Sequence, residues 1–505
     1  MSPRQRLLVT IAVMATTVMQ VLDTTIVNVA LPHMAGQLEA TPDQITGVLT
    51  SYLVASAVFM PLTGFFTDRL GRRRYLLISI FGFVLFSALC GLATSLSQIV
   101  VFRLMQGAFG ASLVPLSQAI MVSIYPIEER GRAMAIWGIG VMIGPILGPT
   151  LGGYLTEVLS WRWTFFINLP VGILSYILTL TSVPDTARHE RAMDWAGLGY
   201  LALCLSALQF LLDRGNEYGW LGSTRIQLAA VIAIAGLTAF AVHSIGRRGS
   251  RLFDLRILAD RNFTVASLLL AIFGLGMYGS MVMQPLFLEE LLHYPTLTTG
   301  LAMAPRGVVS AFSMLLVGRL ITRMSPRVLI AIGIVLSGFG TWAMGSYNLH
   351  ISEWEVIWPV LIQGLGLGMI YVPLSTIAFS TLPRESASEA AGLFSLMRTV
   401  GSSIGISLVT TMFIRHGQIA WNAIGAHITA FGMAATTYLA PLHLLPQSPL
   451  GAQVLAGTLA RQSQMMAFDA AFVFITMSFV AMLPLVLLIK GHRLGGERPP
   501  VVAAD

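Results

Sequence analysis

Charge is what this sequence has least of. Asp, Glu, Lys and Arg make up 10% of its 505 residues, against about 25% in soluble domains, which excludes an ordinary water-soluble globule. Cysteine is nearly absent. Cys90 and Cys204 are the two present, and both lie in apolar runs without metal-ligand neighbours, so they imply neither a disulfide framework nor a metal centre. The acids facing the basic loops, such as Asp185, Glu190 and Asp194, are scattered among arginines. They form no paired Mg²⁺ site of the kind a membrane-embedded enzyme would need. The GIGVMIG run at 138–144 is not a dinucleotide fingerprint, because no βαβ pattern surrounds it.

What replaces charge is hydrocarbon. The chain is 55% hydrophobic with a mean hydropathy of +0.77. About 20 apolar residues cross a bilayer, and such runs recur at 7–31, 45–66, 75–95, 99–121, 134–157, 163–183, 195–212, 225–245, 263–286, 298–321, 328–347, 355–380, 393–413 and 466–489. This predicts an all-α membrane protein of 14 spans. The opening MSPRQR and its apolar run continue past Asp23 and precede many further spans, so an uncleaved first helix is expected rather than a signal peptide. With the N-terminus inside, the inner segments hold 21 basic residues and the outer loops 5. Lys and Arg stay on the cytoplasmic side, so both termini are expected there. The net charge of +7 then reflects topology and calls for no nucleic-acid partner.

The chain repeats itself. QGAFGASLVPLS at 106–117 returns as QGLGLGMIYVPLS at 363–375, GFFTDRLGRRR at 64–74 as GRLITRMSPR at 318–327, and Gly140 and Gly144 as Gly401 and Gly405. Fixed-offset similarity of this kind marks parallel structural repeats. The expected organisation is a six-helix half at 1–183, a two-helix insertion with its linker at 184–262, and a second half at 263–505 carrying a long outer loop, 414–465. In secondary transporters of this architecture the substrate site lies near the midplane, between the halves.

Several polar residues interrupt the apolar spans. Thr16, Thr17, Gln20, Asp23, Thr24 and Asn28 fall within an arc of about 140° on the first helix, and such a stripe faces a partner or a cavity rather than lipid. Asp23 is the one acid placed well inside a span. On the fourth span Arg103, Gln106, Gly107, Ser117 and Gln118 share a face. Counted from their outer ends at 1.5 Å per residue, Asp23 and Arg103 sit at depths of ~12 and ~6 Å, within reach of a long arginine arm. A lone carboxylate in hydrocarbon is driven neutral and one beside a cation stays charged, so such a pair can load and release a proton when the cation or solvent moves. A static ion pair fixing helix packing is the alternative.

In the second half, Arg306 and Arg398 also lie in spans, and Val360 stands where Arg103 does in the first copy. Either arginine could meet an anionic substrate or only bind carbonyls. Met277, Tyr278, Met281 and Gln284 cluster on the ninth span, and Gln363 repeats Gln106. Adaptable methionines suit a surface that repacks around different ligands, although lipid-facing filler is their commoner role. Gly140, Gly144, Gly148 and Gly152 recur every fourth residue, drifting about 40° per step. They form a lane for close helix approach, with Pro145 and Pro149 adding a bend. In the loop Gly64, Asp68, Arg69, Gly71 and Arg72, the glycines allow a tight turn and Asp68 can accept from an arginine or cap a helix. The arginines could equally serve topology alone.

LDTTIVNVALP, GFFTDRLGRRR, RLMQGAFGA, GIGVMIGPILGPTLGG and WRWTFFINLPVG together resemble the ordered motif series of the major facilitator superfamily. With 14 spans the chain is similar to the drug:proton antiporter branch, the EmrB/QacA group, and LDRGNEYGW and the segment 414–465 look EmrB-like. The resemblance implies the major facilitator fold and a bacterial inner-membrane multidrug antiporter driven by the proton gradient, with no bound cofactor. It assigns Asp23 and Arg103 to proton coupling, Gly64 to Arg72 to a cytoplasmic latch, and the span-five glycines and prolines to an antiporter motif that seals and hinges the halves. It also implies a periplasmic membrane-fusion adaptor and an outer-membrane channel as partners. An exporter dedicated to one metabolite or siderophore would share the fold. Thr322 and Ser325 replace Asp68 and Gly71 in the second copy of the loop, so no matching second latch is expected.

Overall fold

The computed structural model describes residues 2–126, 129–188, 192–246, 255–383, 386–429 and 432–489. Among them, thirteen helices are long and apolar enough to cross a membrane, and the 29-residue helix Arg130–Val158 lies between the fourth and fifth of these. In chain order the first half comprises α1 (Pro3–Gln37), α2 (Gly47–Leu70), α3 (Arg72–Leu92), α4 (Leu96–Ile124), α5 (Arg130–Val158) and α6 (Trp163–Ser182). The insertion is α7 (Trp195–Arg214) and α8 (Thr224–Gly246). The second half is α9 (Arg261–Leu291), α10 (Thr296–Leu320), α11 (Pro326–Met344), α12 (Glu353–Ala378), α13 (Ala387–Gly425) and α14 (Pro449–Val480).

Helix starts follow from capping chemistry. Ser2, Ser95, Ser325, Ser352 and Ser448 each accept from a backbone N–H three residues on, satisfying donors that the first turn leaves open. Pro61 sits in a 3₁₀ turn, Met60–Leu62, that divides α2, as expected where a proline removes a helical bond.

The two halves pack alike. α1 lies on α5 and α6, and α9 on α13 and α14; α2 meets α4 as α10 meets α12; α3 meets α4 and α6 as α11 meets α12 and α14. The glycine contacts fix the register. A Cβ on Gly107 would strike the Tyr52 carbonyl, and one on Gly364 the Arg306 carbonyl. One on Gly144 would meet the Val21 backbone, and one on Gly405 that of Leu275. Tyr52 therefore corresponds to Arg306, and Val21 to Leu275.

The halves touch along α5 and α10, and where α13 crosses the part of α2 from Met60 onward. There a Cβ on Gly64 would lie 2.7 Å from that of Glu389, and one on Gly392 2.8 Å from the Met60 carbonyl. Arg130 also donates to the Phe379 carbonyl at 3.0 Å. The face bearing the Gly64–Arg72 loop is thus closed. Toward the opposite face the end of α7 spans the two halves: Thr50 on α2 donates to Asp213 at 2.8 Å, and Ser407 on α13 donates to the Leu212 carbonyl at 2.7 Å.

The expected outer loop is not a loop. α13 is 39 residues long and α14 is 32, so at 1.5 Å per residue they reach about 58 and 48 Å, well beyond a hydrocarbon core of about 30 Å. Most of 414–465 is their continuation, closed by a short helix, Met433–Leu439. The sequence reading ended the spans where apolar runs became mixed, but a helix that leaves the bilayer needs no continuous apolarity.

Candidate functional site

Asp23 is 0% exposed and Arg103 1%. The Arg103 Nη1 donates to Asp23 Oδ2 at 2.7 Å. The other carboxylate oxygen, Oδ1, accepts from Gln106 Nε2 at 3.0 Å and from Asn168 Nδ2 at 2.7 Å. Three donors from α4 and α6 thus converge on one carboxylate from α1. Arg103 itself is fixed by the Val48 carbonyl at 3.3 Å, by Gln106 Oε1 at 2.8 Å, and by the Tyr52 ring, whose centroid lies 4.2 Å from its guanidinium carbon. Gln20 donates to the Tyr52 hydroxyl at 3.0 Å, and Asn168 to Ser87 at 3.0 Å. A buried charge is tolerated when it is paired and its remaining lone pairs are filled. Both conditions hold here.

The polar stripe on α1 divides. Gln20 and Asp23 join this cluster; Thr24 is half-buried and bonds within its own helix at 2.8 Å, and Asn28 is exposed. Gln106, which shares a face of the fourth span with Arg103, is fully buried inside the ion-pair cluster. Asn168 and Tyr52 were missed. Asn168 was signalled only by a polar residue within WRWTFFINLPVG, and Tyr52 had no signal, because a tyrosine in an apolar span reads as packing.

In the second half, Arg306 Nη1 reaches Gln363 Oε1 at 3.1 Å, Gln284 Oε1 at 3.4 Å and Ser280 Oγ at 3.5 Å. Met277 is packed in the apolar core, whereas Tyr278 and Met281 on the same helix are half-buried and keep surface to offer a ligand. Arg398 is buried within electrostatic reach of Tyr371, which stacks on Trp137 at 6.1 Å and tilts against Phe273 at 6.0 Å. This aromatic group joins α5 of one half to α9 and α12 of the other.

The glycine lane of α5 faces α1, within its own half. Added Cβ atoms on Gly140, Gly144, Gly148 and Gly152 would meet Met14, Val21, Thr25 and Ile26 in turn. The lane therefore does not itself form the seal between halves; the opposite surface of α5 does, through Gly131 against Ile321, Gly138 against Met314 and Thr150 against Gly300. The helix runs unbroken through positions 145 and 149, and the side chains of Pro145 and Pro149 lie outside the described residues. In the expected latch, Gly71 has φ +81°, a left-handed conformation that favours glycine. Arg72 N donates to Thr186 Oγ1 at 3.0 Å, Asp68 is half-buried, Arg69 is exposed and Gly64 packs on Glu389.

Residues 13–406 match the family model of the Major Facilitator Superfamily. The chain belongs to that family. It is 34% identical to the fatty acid resistance protein FarB of Neisseria gonorrhoeae over 95% of each chain. It is 35% identical to the multidrug export protein EmrB of Haemophilus influenzae over 86% of this chain and 85% of that one. The corresponding figures for EmrB of Escherichia coli K12 are 34% identity and 82% of each chain. The human organic anion transporter MFSD10 superposes with a TM-score of 0.62 at 16% identity, over 96% of this chain and 100% of that one, a likeness of fold. Multi-pass membrane insertion and the major facilitator fold follow directly.

Proposed function

We propose that this major facilitator protein is a proton-coupled multidrug antiporter that exports hydrophobic and amphipathic compounds across a bacterial inner membrane, with both termini cytoplasmic. It is a transporter rather than an enzyme, and its energy source is the proton gradient rather than a bound cofactor. The observation that carries the reading is the Asp23 carboxylate, sealed at 0% exposure under three donors, on a helix packed along the α5 lane. A movement of α1 against α4 and α6 that separates Asp23 from Arg103 opens the carboxylate to a proton, and their return expels it. Relatives spanning most of the chain bear multidrug export names, and one is named for fatty acid resistance, which extends the range to amphipathic acids. Gly64 to Arg72, set against Glu389, acts as the latch that holds the basic face shut.

Expressed in a host stripped of its own efflux pumps, the protein should lower accumulation of several chemically unrelated hydrophobic drugs, and a protonophore should abolish the effect. Protection against a single compound would favour the dedicated exporter instead.

The extended ends of α13 and α14 are proposed to dock the periplasmic adaptor that leads to an outer-membrane channel. These ends and the segment that joins them leave Ile419, Met433, Tyr438, Leu442, Leu445 and Leu450 exposed, and Trp421, Ile428, Leu455 and Leu459 line a cleft of ≈480 Å³. Exposed apolar area of this kind marks interaction surfaces. Replacing 420–460 with a short Gly/Ser linker should leave vesicle transport intact but remove whole-cell resistance and adaptor co-purification. If the shortened protein still pulls down its adaptor, the contact lies elsewhere.

A further inference from the structure

The second half carries a copy of the Asp23 cluster from which the carboxylate is missing. The glycine register equates Tyr52 with Arg306 and Val21 with Leu275, so Asp23, two residues after Val21, corresponds to Met277. Gln363 repeats Gln106, standing one residue before Gly364 as Gln106 stands before Gly107. Each half therefore buries a guanidinium against the same glutamine. In the first half the arginine comes from α4 and meets Asp23 at 2.7 Å. In the second it comes from α10 and meets only neutral acceptors, at 3.1 to 3.5 Å, with no carboxylate bonded to it among the described residues.

Two further features set this cluster apart from the first. Gln284 is 0% exposed and its Nε2 has no hydrogen-bond partner among the described residues. Arg306 is itself buried, at 7% exposure, so its guanidinium is held away from water without a carboxylate beside it. Met277, Ser280 and Gln284, spaced three and four apart on α9, lie on one face. A buried cation with no counter-charge is costly, and so is a buried amide donor left unpaired. A ligand that brings one carboxylate relieves both, because a guanidinium and a neighbouring N–H donor can bind its two oxygens together.

We propose that Arg306, Gln284, Gln363 and Ser280 form the binding site for the carboxylate of an amphipathic substrate, which occupies in the second half the role that Asp23 fills in the first. The inference rests on the exporter reading and names one substrate class for it. Methionine at the Asp23-equivalent position leaves the site cationic, and the half-buried Tyr278 and Met281 on the same helix supply apolar surface for the tail.

The test compares dodecanoate with dodecanol, binding to purified protein in a non-ionic detergent by calorimetry. Hydrogen bonds to charged groups account for about a tenfold to hundredfold change in affinity, so Arg306→Gln should lower the dodecanoate-to-dodecanol affinity ratio by that factor. Gln284→Leu should lower it in the same direction, and Arg306→Lys should restore part of it. Met277→Asp, with Arg306 intact, should exclude dodecanoate by supplying the missing carboxylate from the chain itself. Equal binding of the two probes to the wild-type protein, an equal loss of both in Arg306→Gln, or unchanged dodecanoate binding in Met277→Asp would overturn the proposal. Export of neutral and cationic drugs without any carboxylate preference would sink this inference and leave the exporter reading standing; failure to export any drug would sink that reading itself.

Discussion

Replacing Asp23 with Asn is expected to reduce proton-driven export to the level of membranes that lack the protein. Asn keeps a carbonyl that can accept from Arg103 or Asn168, so the contact between α1, α4 and α6 has a partial substitute. The amide cannot carry a proton at any useful pH. Removing one partner of a buried ion pair also costs about 3 to 5 kcal/mol, because Arg103, 1% exposed, has no route to solvent. The variant should therefore be somewhat less stable yet still reach the membrane, and Asp23→Glu should restore part of the coupling. Uphill drug accumulation in inverted vesicles measures the effect. A variant that pumps at the wild-type rate while Asn occupies position 23 would remove Asp23 from the mechanism.

Gly144→Val should be nearly as damaging, and for a different reason. A Cβ at Gly144 would sit 2.6 Å from the Val21 carbonyl carbon and 2.7 Å from its oxygen, where no side-chain rotamer gives relief. Helix α1 must move away, and Val21 is two residues from Asp23. Overpacking of this sort costs about 1 to 3 kcal/mol, and here it also pulls the carboxylate from its three donors. Thermal unfolding should show lower stability and vesicle assays a loss of export, with Gly144→Ala milder. Wild-type stability and transport in the valine variant would show that the lane tolerates a wider spacing.

Much of this was legible in the sequence because membrane helices announce themselves. The 14 apolar runs, the internal repeat and the family motifs led directly to the observed fold. Asp23 and Arg103 could be paired because intramembrane charges are few and their depths match. Other features depended on packing that periodicity does not encode. A glycine lane reveals that some helix comes close but not which one, so the Gly140–Gly152 series was read as a seal between halves although it faces α1. Tyr52 and Asn168 look like ordinary span residues until the helices converge on Asp23. The outer segment was read as a loop because mixed polarity ends a span in sequence, whereas α13 and α14 simply continue out of the bilayer.

The central claim is that the Asp23 carboxylate exchanges its proton as substrate binds and leaves. The most direct measurement is the pH change when an uncharged substrate is added to purified protein in weakly buffered detergent solution. The account predicts proton release from the wild-type protein equilibrated at a pH low enough to protonate Asp23 and none from Asp23→Asn, with both still binding the substrate. Equal release from the two proteins would contradict it, because the exchanged proton would then belong to another group.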